Sequence, residues 1–491
     1  IGVNKNVKKI RKMNKKTVIY ILGCVLVFVS AFMLLPWFVS LIYSEETGKY
    51  FLYTAIAGFV IGRIMTWKKP EKGGFFAKEG FVSVALSWIV LSVVGAIPLW
   101  LSGEIPNFVD ALFEIVSGFT TTGASIAENV EAFSHTALFW RSFSHWIGGM
   151  GVLVFMMAIL PLADGENMHI LRAESPGPIV SKLVPRMRKT AGILYLIYLT
   201  MTMLEIIALL ISGLPTFDAV CMSLGTAGTG GFGLVVDSAA SYTALQQVII
   251  TIFMVLFGVN FSFFYLILMK KSSDAFKIEE VRWYFAIFGI ASILITLDLT
   301  HNASELLHNL NLATFQVASV MTTTGYATAD FNLWPTFSKN ILVMLMFVGA
   351  CAGSTGGGIK VSRFIIYIKS SIREVSHLIH PRSVKVVKMD DKAVSDETIR
   401  TTHMYLIVYM FIFAASLFLL SLDKHDMVTN FTAIAATLNN IGPGLEVVGP
   451  MGGYGGFSVL SKLVMIFDML IGRLEIFPLL ILFAPRVWKH R

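Results

Sequence analysis

The sequence predicts an all-α integral membrane protein: four M1–P-loop–M2 pore repeats around a pseudo-fourfold central pore, plus an N-terminal two-helix hairpin. Hydrophobic residues make up 55% of the 491 residues and charged residues only 14%, whereas soluble proteins carry about 25% charged residues. Apolar stretches long enough to cross a ~30 Å hydrocarbon core as helices recur along the chain. A shorter apolar segment that runs into a glycine-containing turn occurs four times. So little charge could not cover a soluble surface of this size, which excludes a soluble helical protein.

The basic residues indicate the orientation in the membrane. Most of the 39 lysines and arginines lie in six stretches: 1–16, 68–80, 165–189, 270–282, 360–402 and 485–491. The alternate connections are acidic or neutral, as at Glu45 and Glu46. The positive-inside rule therefore places both termini and the basic loops in the cytoplasm. The net charge of +8 is explained by topology, and we expect no nucleic-acid partner.

The chain is expected to form ten full-length transmembrane helices and four re-entrant pore helices. At ~11 residues and 1.5 Å per residue, each pore helix spans about half of the bilayer. The predicted segments are a basic cytoplasmic tail (1–16), a transmembrane hairpin (17–68), pore repeat 1 (79–163), pore repeat 2 (190–271), pore repeat 3 (281–373), a basic cytoplasmic loop (374–401), pore repeat 4 (402–485) and a cytoplasmic C-terminus (486–491).

A turn follows each of the four short segments, which are 110–120, 217–227, 313–322 and 430–439. The anchoring glycines of these turns are predicted to be Gly123, Gly230, Gly325 and Gly442. The candidate filter residues are Thr121, Thr122, Gly123, Ala124, Gly228, Thr229, Gly230, Gly231, Thr323, Thr324, Gly325, Tyr326, Asn440, Ile441, Gly442 and Pro443.

Four such turns in one membrane protein need a shared central space. Irregular backbone at membrane depth is tolerated only where it is buried in protein or lines a water-filled cavity. Half-helices that enter from outside point their negative carboxyl ends at the membrane centre, which favours a cation. Glycine lets successive carbonyl oxygens turn inward and replace the hydration shell of an ion. A single turn could equally be a break between two packed helices, but four in register predict a cation filter.

A second glycine cluster lies within the second helix of each repeat, at Gly149, Gly258, Gly353 and Gly472. In repeat 3 it extends into Gly353, Ser354, Thr355, Gly356, Gly357 and Gly358. Each glycine costs a helix about 1 kcal/mol relative to alanine, so this run predicts a flexible intramembrane loop below the filter. The alternative is that the glycines only permit close helix contact. A phosphate-binding loop is excluded because the lysine is one position late and no Ser or Thr follows it directly.

Charged residues inside apolar helices are functional candidates. Arg473 and Lys360 are predicted to place positive charge on the cytoplasmic side of the filter, as a barrier to cations. The alternative for Arg473 is an interior salt bridge to Glu475 or Glu114. Arg141 is expected to brace the first loop, and its neighbour His145 to satisfy a hydrogen bond. No histidine spacing is typical of a metal site, so we expect no enzyme and no cofactor in this chain.

Motifs around the four turns and the second helices are specific when taken together. They are Thr120-Thr121-Thr122-Gly123-Ala124, His145-Trp146-Ile147-Gly148-Gly149-Met150-Gly151, Gly258-Val259-Asn260-Phe261, Gly353-Ser354-Thr355-Gly356-Gly357-Gly358-Ile359-Lys360, His380-Pro381-Arg382, Asn440-Ile441-Gly442-Pro443-Gly444 and Gly472-Arg473-Leu474-Glu475. At these residues the sequence resembles the Trk/Ktr/HKT superfamily of cation transporters, and within it the Trk-type potassium uptake (TrkH) family. The N-terminal hairpin resembles the TrkH branch.

The resemblance implies further properties. It implies potassium as the transported ion, because a serine at the Gly123 position accompanies sodium preference in the superfamily. It implies a gate formed by the glycine-rich run, a homodimer, a cytosolic nucleotide-binding regulatory ring of the TrkA type and a place in a bacterial cytoplasmic membrane. The basic loop 374–401 would dock that ring or contact anionic lipid. A sodium-permeable or sodium- or proton-coupled symporter of the same superfamily is the alternative within the class, and a secondary transporter of an organic solute is the alternative outside it.

Overall fold

The computed structural model describes residues 13–69, 77–151, 187–383 and 385–488. Most of the basic tail, most of the basic stretch 165–189 and the end of repeat 1 (152–163) lie outside the described residues, as do residues 384 and 489–491. The described chain is almost entirely helical, with one two-stranded hairpin in which Lys388 pairs with Ala393.

The helices follow the predicted order of hairpin and repeats. The hairpin consists of Lys15–Phe32, Leu34–Tyr43 and Gly48–Met65. The first helices of repeats 1 to 4 are Ala77–Leu101, Met187–Ile211, Glu279–Leu299 and Asp396–Leu420. Pore helices 1 to 4 are Phe108–Phe119, Thr216–Gly228, Leu306–Met321 and Met427–Leu438. The second helices begin as His135–Gly149, Ala244–Phe257, Thr336–Met346 and Val459–Arg473.

After a break, the second helices of repeats 2, 3 and 4 continue. These inner segments are Phe261–Leu268, Val361–Ile379 and Phe477–Leu480. The remaining elements are the short helices Ser272–Lys277 and Pro485–Trp488, the strands Lys388–Met389 and Lys392–Ala393, and the 3₁₀ turns Val130–Ala132, Ala303–Glu305, Phe331–Leu333, Glu446–Val448 and Ile481–Phe483.

The expectation of ten full-length membrane helices is wrong for repeats 2 to 4, whose second helices are broken, while the end of the second helix of repeat 1 lies outside the described residues. Within the described ranges, five helices are long and apolar enough to span a membrane, or six if one bent pair counts as a span. That pair, Ala244–Phe257 and Phe261–Leu268, is bent by 92°. The glycine clusters do not merely mark these helices but interrupt them, since glycine is a poor helix former and readily takes other backbone angles.

Apolar side chains divide into a buried core and a lipid-facing surface. The core runs through the pore helices and the helices around them, while residues such as Ile211 and Phe411 are exposed over 81% and 75% of their surface. In the hairpin, Gly23 and Gly62 lie in direct contact. Such small residues let membrane helices approach closely where lipid offers no hydrophobic driving force.

Glu45, in the turn between the hairpin helices, ties the hairpin to repeat 1. Its carboxylate accepts hydrogen bonds from the backbone N–H groups of His135 (2.8 Å) and Thr136 (2.9 Å) and from the Thr136 hydroxyl (2.6 Å). It thereby caps the helix His135–Gly149, and the Tyr43 ring stacks on the His135 ring 3.9 Å away. Partial burial raises the pKa of Glu45, but the hydrogen bonds from Thr136 and His135 outweigh it and hold the pKa below the ordinary 4.5.

Glu45→Gln is expected to lower the melting temperature at neutral pH, by the equivalent of about 1 kcal/mol for a lost capping side chain. Because the pKa is depressed in the folded state, this stabilisation is present above pH 4.5 and is lost as the pH falls through the folded value. Thermal unfolding in detergent between pH 7.5 and 3.5 should therefore show the difference from wild type shrinking on acidification. Glu46→Gln is the control, because Glu46 is exposed and its ion pair with Lys49 lies on the surface. An equal effect in both variants would show that Glu45 does not stabilise the helix His135–Gly149 as a cap.

A ring of four re-entrant loops as the candidate functional site

All four pore helices end in the same local structure. Thr121, Thr229, Thr323 and Asn440 have left-handed backbone, with φ between 55° and 58°. The N–H of each of these residues and that of the next residue bond back into the last helical turn, which is the Schellman arrangement. A β-branched threonine is unusual in this conformation, and such strain costs about 1–3 kcal/mol. Strain repeated in three of four loops marks them as a candidate functional site.

Two residues further on, each loop has a glycine with positive φ. These are Gly123 (+78°), Gly231 (+74°), Gly325 (+91°) and Gly442 (+99°). The prediction of Gly230 as the anchor of loop 2 is therefore off by one residue, and Gly231 holds the equivalent place. Gly228 ends pore helix 2 rather than lying in the turn. With this correction Thr229 matches Thr121 and Thr323, so loop 2 keeps the first threonine of the pattern.

The four loops contact one another in a closed ring. A Cβ atom added to any of the four positive-φ glycines would collide with a backbone carbonyl oxygen of a neighbouring loop. Around the ring, the contacts are Gly123 with Gly230, Gly231 with Thr324, Gly325 with Ile441, and Gly442 with Thr122. Glycine is required here both by backbone angle and by space. The order of the loops around the ring is their order in the chain.

The ring opens into a cavity of about 100 Å³ that all four glycines line. Ala124 and Pro443, the residues that follow two of these glycines, line it too, as does Glu128, which lies between pore helix 1 and the helix His135–Gly149. Tyr326, the matching residue of loop 3, is instead fully buried behind the ring. Among the loop residues, the oxygen atoms that could face a cation are backbone carbonyls, threonine hydroxyls and the Asn440 amide oxygen, a set that suits an alkali cation.

Side chains behind the ring hold the loops in place. The Asn440 amide donates to the Thr122 hydroxyl and to the Met469 carbonyl, both at 2.9 Å. The Tyr454 hydroxyl donates to the Gly442 carbonyl at 2.6 Å, and the Tyr326 hydroxyl to the Met222 carbonyl of pore helix 2 at 3.1 Å. Each bond joins different segments around the ring and restricts the positions of its carbonyl groups.

The glycine-rich run of repeat 3 is a loop that packs against the break in repeat 2. Backbone bonds join Cys351 N–H to Gly258 C=O (3.1 Å) and Phe261 N–H to Gly353 C=O (3.0 Å). On the other side, the Gly357 N–H donates to the Thr323 hydroxyl of loop 3 at 2.6 Å. The loop therefore lies directly against the ring and against the 92° bend of the neighbouring repeat.

Arg473 joins three of the four repeats. Its guanidinium donates to the Thr355 carbonyl at 2.8 Å and to the Gly149 carbonyl at 2.8 Å, and also to the Gly148 carbonyl. The two carboxylates that were considered as alternative partners of Arg473 pair with other arginines, Glu475 with Arg363 and Glu114 with Arg141. The Lys360 ammonium turns back onto the Gly356 carbonyl of its own loop. Both positive charges thus lie at the glycine-rich loop.

Several residues of this site were not identified from the sequence. Glu280 accepts hydrogen bonds at one carboxylate oxygen from the N–H groups of Ala352 (2.7 Å) and Ser362 (3.0 Å), which lie at opposite ends of the glycine-rich loop. The Arg363–Glu475 ion pair joins the helix after that loop to the break after Arg473. The sequence does show that each of these charged residues lies at the edge of an apolar helix. It does not show which residues they contact, because the partners are far apart in the sequence.

Removing the acceptor at Glu280 is expected to loosen both ends of the glycine-rich loop. Glu280→Met leaves two buried N–H groups unpaired, which costs about 1–3 kcal/mol for each. Amide hydrogen exchange of residues 350–362 in detergent or nanodiscs should speed up about tenfold or more in this variant. Glu280→Gln is the control, since it keeps an acceptor oxygen in place. Equal protection from hydrogen exchange in Glu280→Met and wild type would show that Glu280 does not hold the two ends of the loop.

Four half-membrane helices whose carboxyl ends meet in a closed glycine ring define a class: an α-helical membrane protein of the pore-loop type that transports cations. A family model described as TrkH, cation transport protein, matches residues 47–490. The chain belongs to this family. The family is one of cation transporters and not of enzymes, as the sequence predicted.

Curated relatives match over nearly their whole length. The chain is 36% identical to the Trk system potassium uptake protein TrkH of Salmonella typhimurium (strain LT2), over 97% of this chain and 100% of the relative. It is 34% identical to the TrkH of Halomonas elongata, over 97% and 100%. The crystal structure of the potassium transporter TrkH from Vibrio parahaemolyticus aligns with a TM-score of 0.86 at 32% identity and covers 97% of this chain and 100% of that one. This match confirms the predicted fold class.

Proposed function

We propose that this chain conducts potassium across the cytoplasmic membrane as the membrane subunit of a potassium uptake system. The observation that carries the proposal is the closed ring of four glycine loops, in a chain whose relatives are named potassium uptake proteins. The potassium sites would be formed by the carbonyl oxygens of Thr121–Gly123, Thr229–Gly231, Thr323–Gly325 and Asn440–Gly442. No acidic side chain among these loop residues enters the ring, so selectivity would rest on backbone geometry.

The cavity at the ring favours an ion over an organic solute. Its volume of about 100 Å³ is below the 300–1,000 Å³ typical of sites for organic ligands. The ring also uses four repeats, whereas secondary transporters of organic solutes bind at broken helices arranged as two repeats. A sodium-permeable or sodium- or proton-coupled symporter has the same ring geometry, so ion flux must separate it from a potassium-selective pore.

Gating is assigned to residues 353–358 together with Lys360 and Arg473. In this arrangement the loop and two positive charges close the space beneath the ring, and cations meet both a steric and an electrostatic barrier. Support comes from the bonds of the loop to filter loop 3, to the bend of repeat 2 and to Arg473. Opening requires these bonds to break together.

The proposal includes partners and orientation. The name of the relatives, Trk system, denotes a system with this kind of protein as one component, and we propose a cytosolic nucleotide-binding ring of the TrkA type and a homodimer. The helix Val361–Ile379 and the basic loop 374–401 follow the glycine-rich loop directly, so a partner docked there could pull on the gate. Both termini would lie in the cytoplasm of a bacterium, on the inner side of its cytoplasmic membrane.

Ion flux into proteoliposomes tests the proposal. Rubidium uptake without sodium or a proton gradient, inhibited by barium and at least about tenfold faster than sodium uptake, is the expected result. Uptake that requires sodium or a proton gradient would indicate a symporter and not a passive pore. Empty liposomes and liposomes with heat-denatured protein are the controls, and absence of rubidium flux at every voltage and with every cytosolic partner would overturn the proposal.

A further inference from the structure

Pore helix 1 is held by two ion pairs on the outer side of the ring. Asp110 pairs with Lys462 of repeat 4 at 2.6 Å, and Glu114 pairs with Arg141 of the second helix of repeat 1 at 2.7 Å. The Glu114 and Arg141 side chains are buried, with 0% and 2% exposure. Counted back from the positive-φ glycine, the positions that match Glu114 are Met222, Gln316 and Ala433, so the other three pore helices carry no charge there.

The buried pair Glu114–Arg141 contacts two filter loops. Glu114 accepts hydrogen bonds from the Ile126 N–H at 2.9 Å and from the Ser125 hydroxyl at 3.0 Å, and these two residues follow loop 1 directly. The Arg141 Nη2 donates to the same Ser125 hydroxyl at 3.3 Å. On its other side the Arg141 guanidinium lies over the Phe232 ring, 4.1 Å from the centroid, and Phe232 follows Gly231 of loop 2.

The geometry points to Glu114 and Arg141 as positioning residues that set the selectivity of the filter by holding loops 1 and 2 at a fixed separation. This inference deepens the proposed function and rests on it. Charge-assisted hydrogen bonds are shorter and stronger than neutral ones, so the pair restrains the carbonyls of both loops. Selectivity depends on where those carbonyls lie, whether by cavity size or by the number and field of coordinating dipoles.

The pair could instead act on entering cations through its electric field alone, and this alternative predicts a different result. Arg141 lines the cavity that opens from the ring, so its charge acts on entering cations unless Glu114 compensates it. Glu114→Gln would then lower the flux of all cations, and Arg141→Gln would raise it, with no change in the ratio of potassium to sodium. A positioning role predicts instead that both substitutions lower that ratio, whichever way total flux changes.

The test compares rubidium and sodium flux in proteoliposomes for Glu114→Gln, Arg141→Gln and Arg141→Lys, each checked for monodispersity and melting temperature. We expect the rubidium-to-sodium ratio to fall about tenfold in Glu114→Gln and Arg141→Gln, equivalent to ~1.4 kcal/mol. Glu114→Asp keeps the charge and should restore part of the ratio. Arg141→Lys keeps the charge but loses the planar fork, and should lower the ratio even if the glutamine variants do not fold.

Asp218→Asn is the matched control, because Asp218 holds the place of Asp110 on pore helix 2 and forms no ion pair in the described part of the chain. Its flux ratio should equal that of wild type. A wild-type ratio in any folded Glu114→Gln, Arg141→Gln or Arg141→Lys protein would overturn the positioning role. A wild-type protein that does not itself discriminate rubidium from sodium would instead overturn the proposed function.

Discussion

Gly123→Ser is expected to abolish most of the discrimination between potassium and sodium. A Cβ at Gly123 collides with the Gly230 carbonyl oxygen of loop 2, and the φ of +78° is itself unfavourable for serine. The collision is with backbone, so it can be relieved only by moving loop 1 or loop 2 and therefore the carbonyls that would coordinate the ion. We expect the rubidium-to-sodium flux ratio to fall more than about tenfold, equivalent to over ~1.4 kcal/mol.

A second glycine with a similar backbone angle, Gly103, allows the effect of backbone strain to be separated from the effect of displacing the ring. Gly103 has a φ of +80°, nearly that of Gly123, but an added Cβ there meets no atom within 4 Å. Gly103→Ser therefore carries the same left-handed strain, about 1–2 kcal/mol, without a collision. It should lower the melting temperature slightly and leave the flux ratio unchanged. If Gly123→Ser folds and keeps the wild-type ratio, residues 121–124 do not form the filter.

The repeat architecture was predictable because its signal is physical and occurs four times. A half-length apolar segment can end inside a membrane only beside a polar cavity, and a glycine after it permits the turn. The structure confirms the four pore helices: three begin and end within three residues of the predicted ranges, and pore helix 3 begins seven residues earlier than predicted, at Leu306. The register of loop 2 was not predictable, since Gly228, Gly230 and Gly231 all permit a turn and only the backbone angles distinguish them.

The breaks and the ion pairs illustrate which parts of the site could not be predicted. Gly148 and Gly472 lie against the backbone carbonyls of Phe119 and Leu438, and Gly258 lies against the Tyr284 and Thr322 side chains; these contacts have no local sequence signature. Glu114 and Arg141 are separated by 27 residues, and Glu280 and Ala352 by 72. A single sequence shows that each charge is unusual in an apolar segment, but not which partner it meets. The roles of the filter and gate residues stay predictions.

Arg473→Gln is expected to raise rubidium flux in the absence of any cytosolic partner. In general, a unit charge opposes the approach of a like charge by about 2 kcal/mol at ~8 Å and an effective dielectric constant of ~20. A barrier of that size changes the rate about 30-fold. The substitution also removes bonds to the carbonyls of Thr355, Gly148 and Gly149, so the glycine-rich loop loses the link to repeats 1 and 4 that Arg473 provides. Both effects increase the flux.

Arg473→Lys distinguishes the charge from the hydrogen bonds. Lysine keeps the positive charge, but its ammonium cannot reach three carbonyls with the planar geometry of a guanidinium. If the charge forms the barrier, flux in Arg473→Lys should stay near that of wild type; if the bonds hold the loop closed, it should approach that of Arg473→Gln. Because the arginine contacts residues on both sides of the pore, we expect an intermediate flux. Equal flux in wild type and a folded Arg473→Gln protein would exclude Arg473 from the gate and leave the loop 353–358 to close the pore without it.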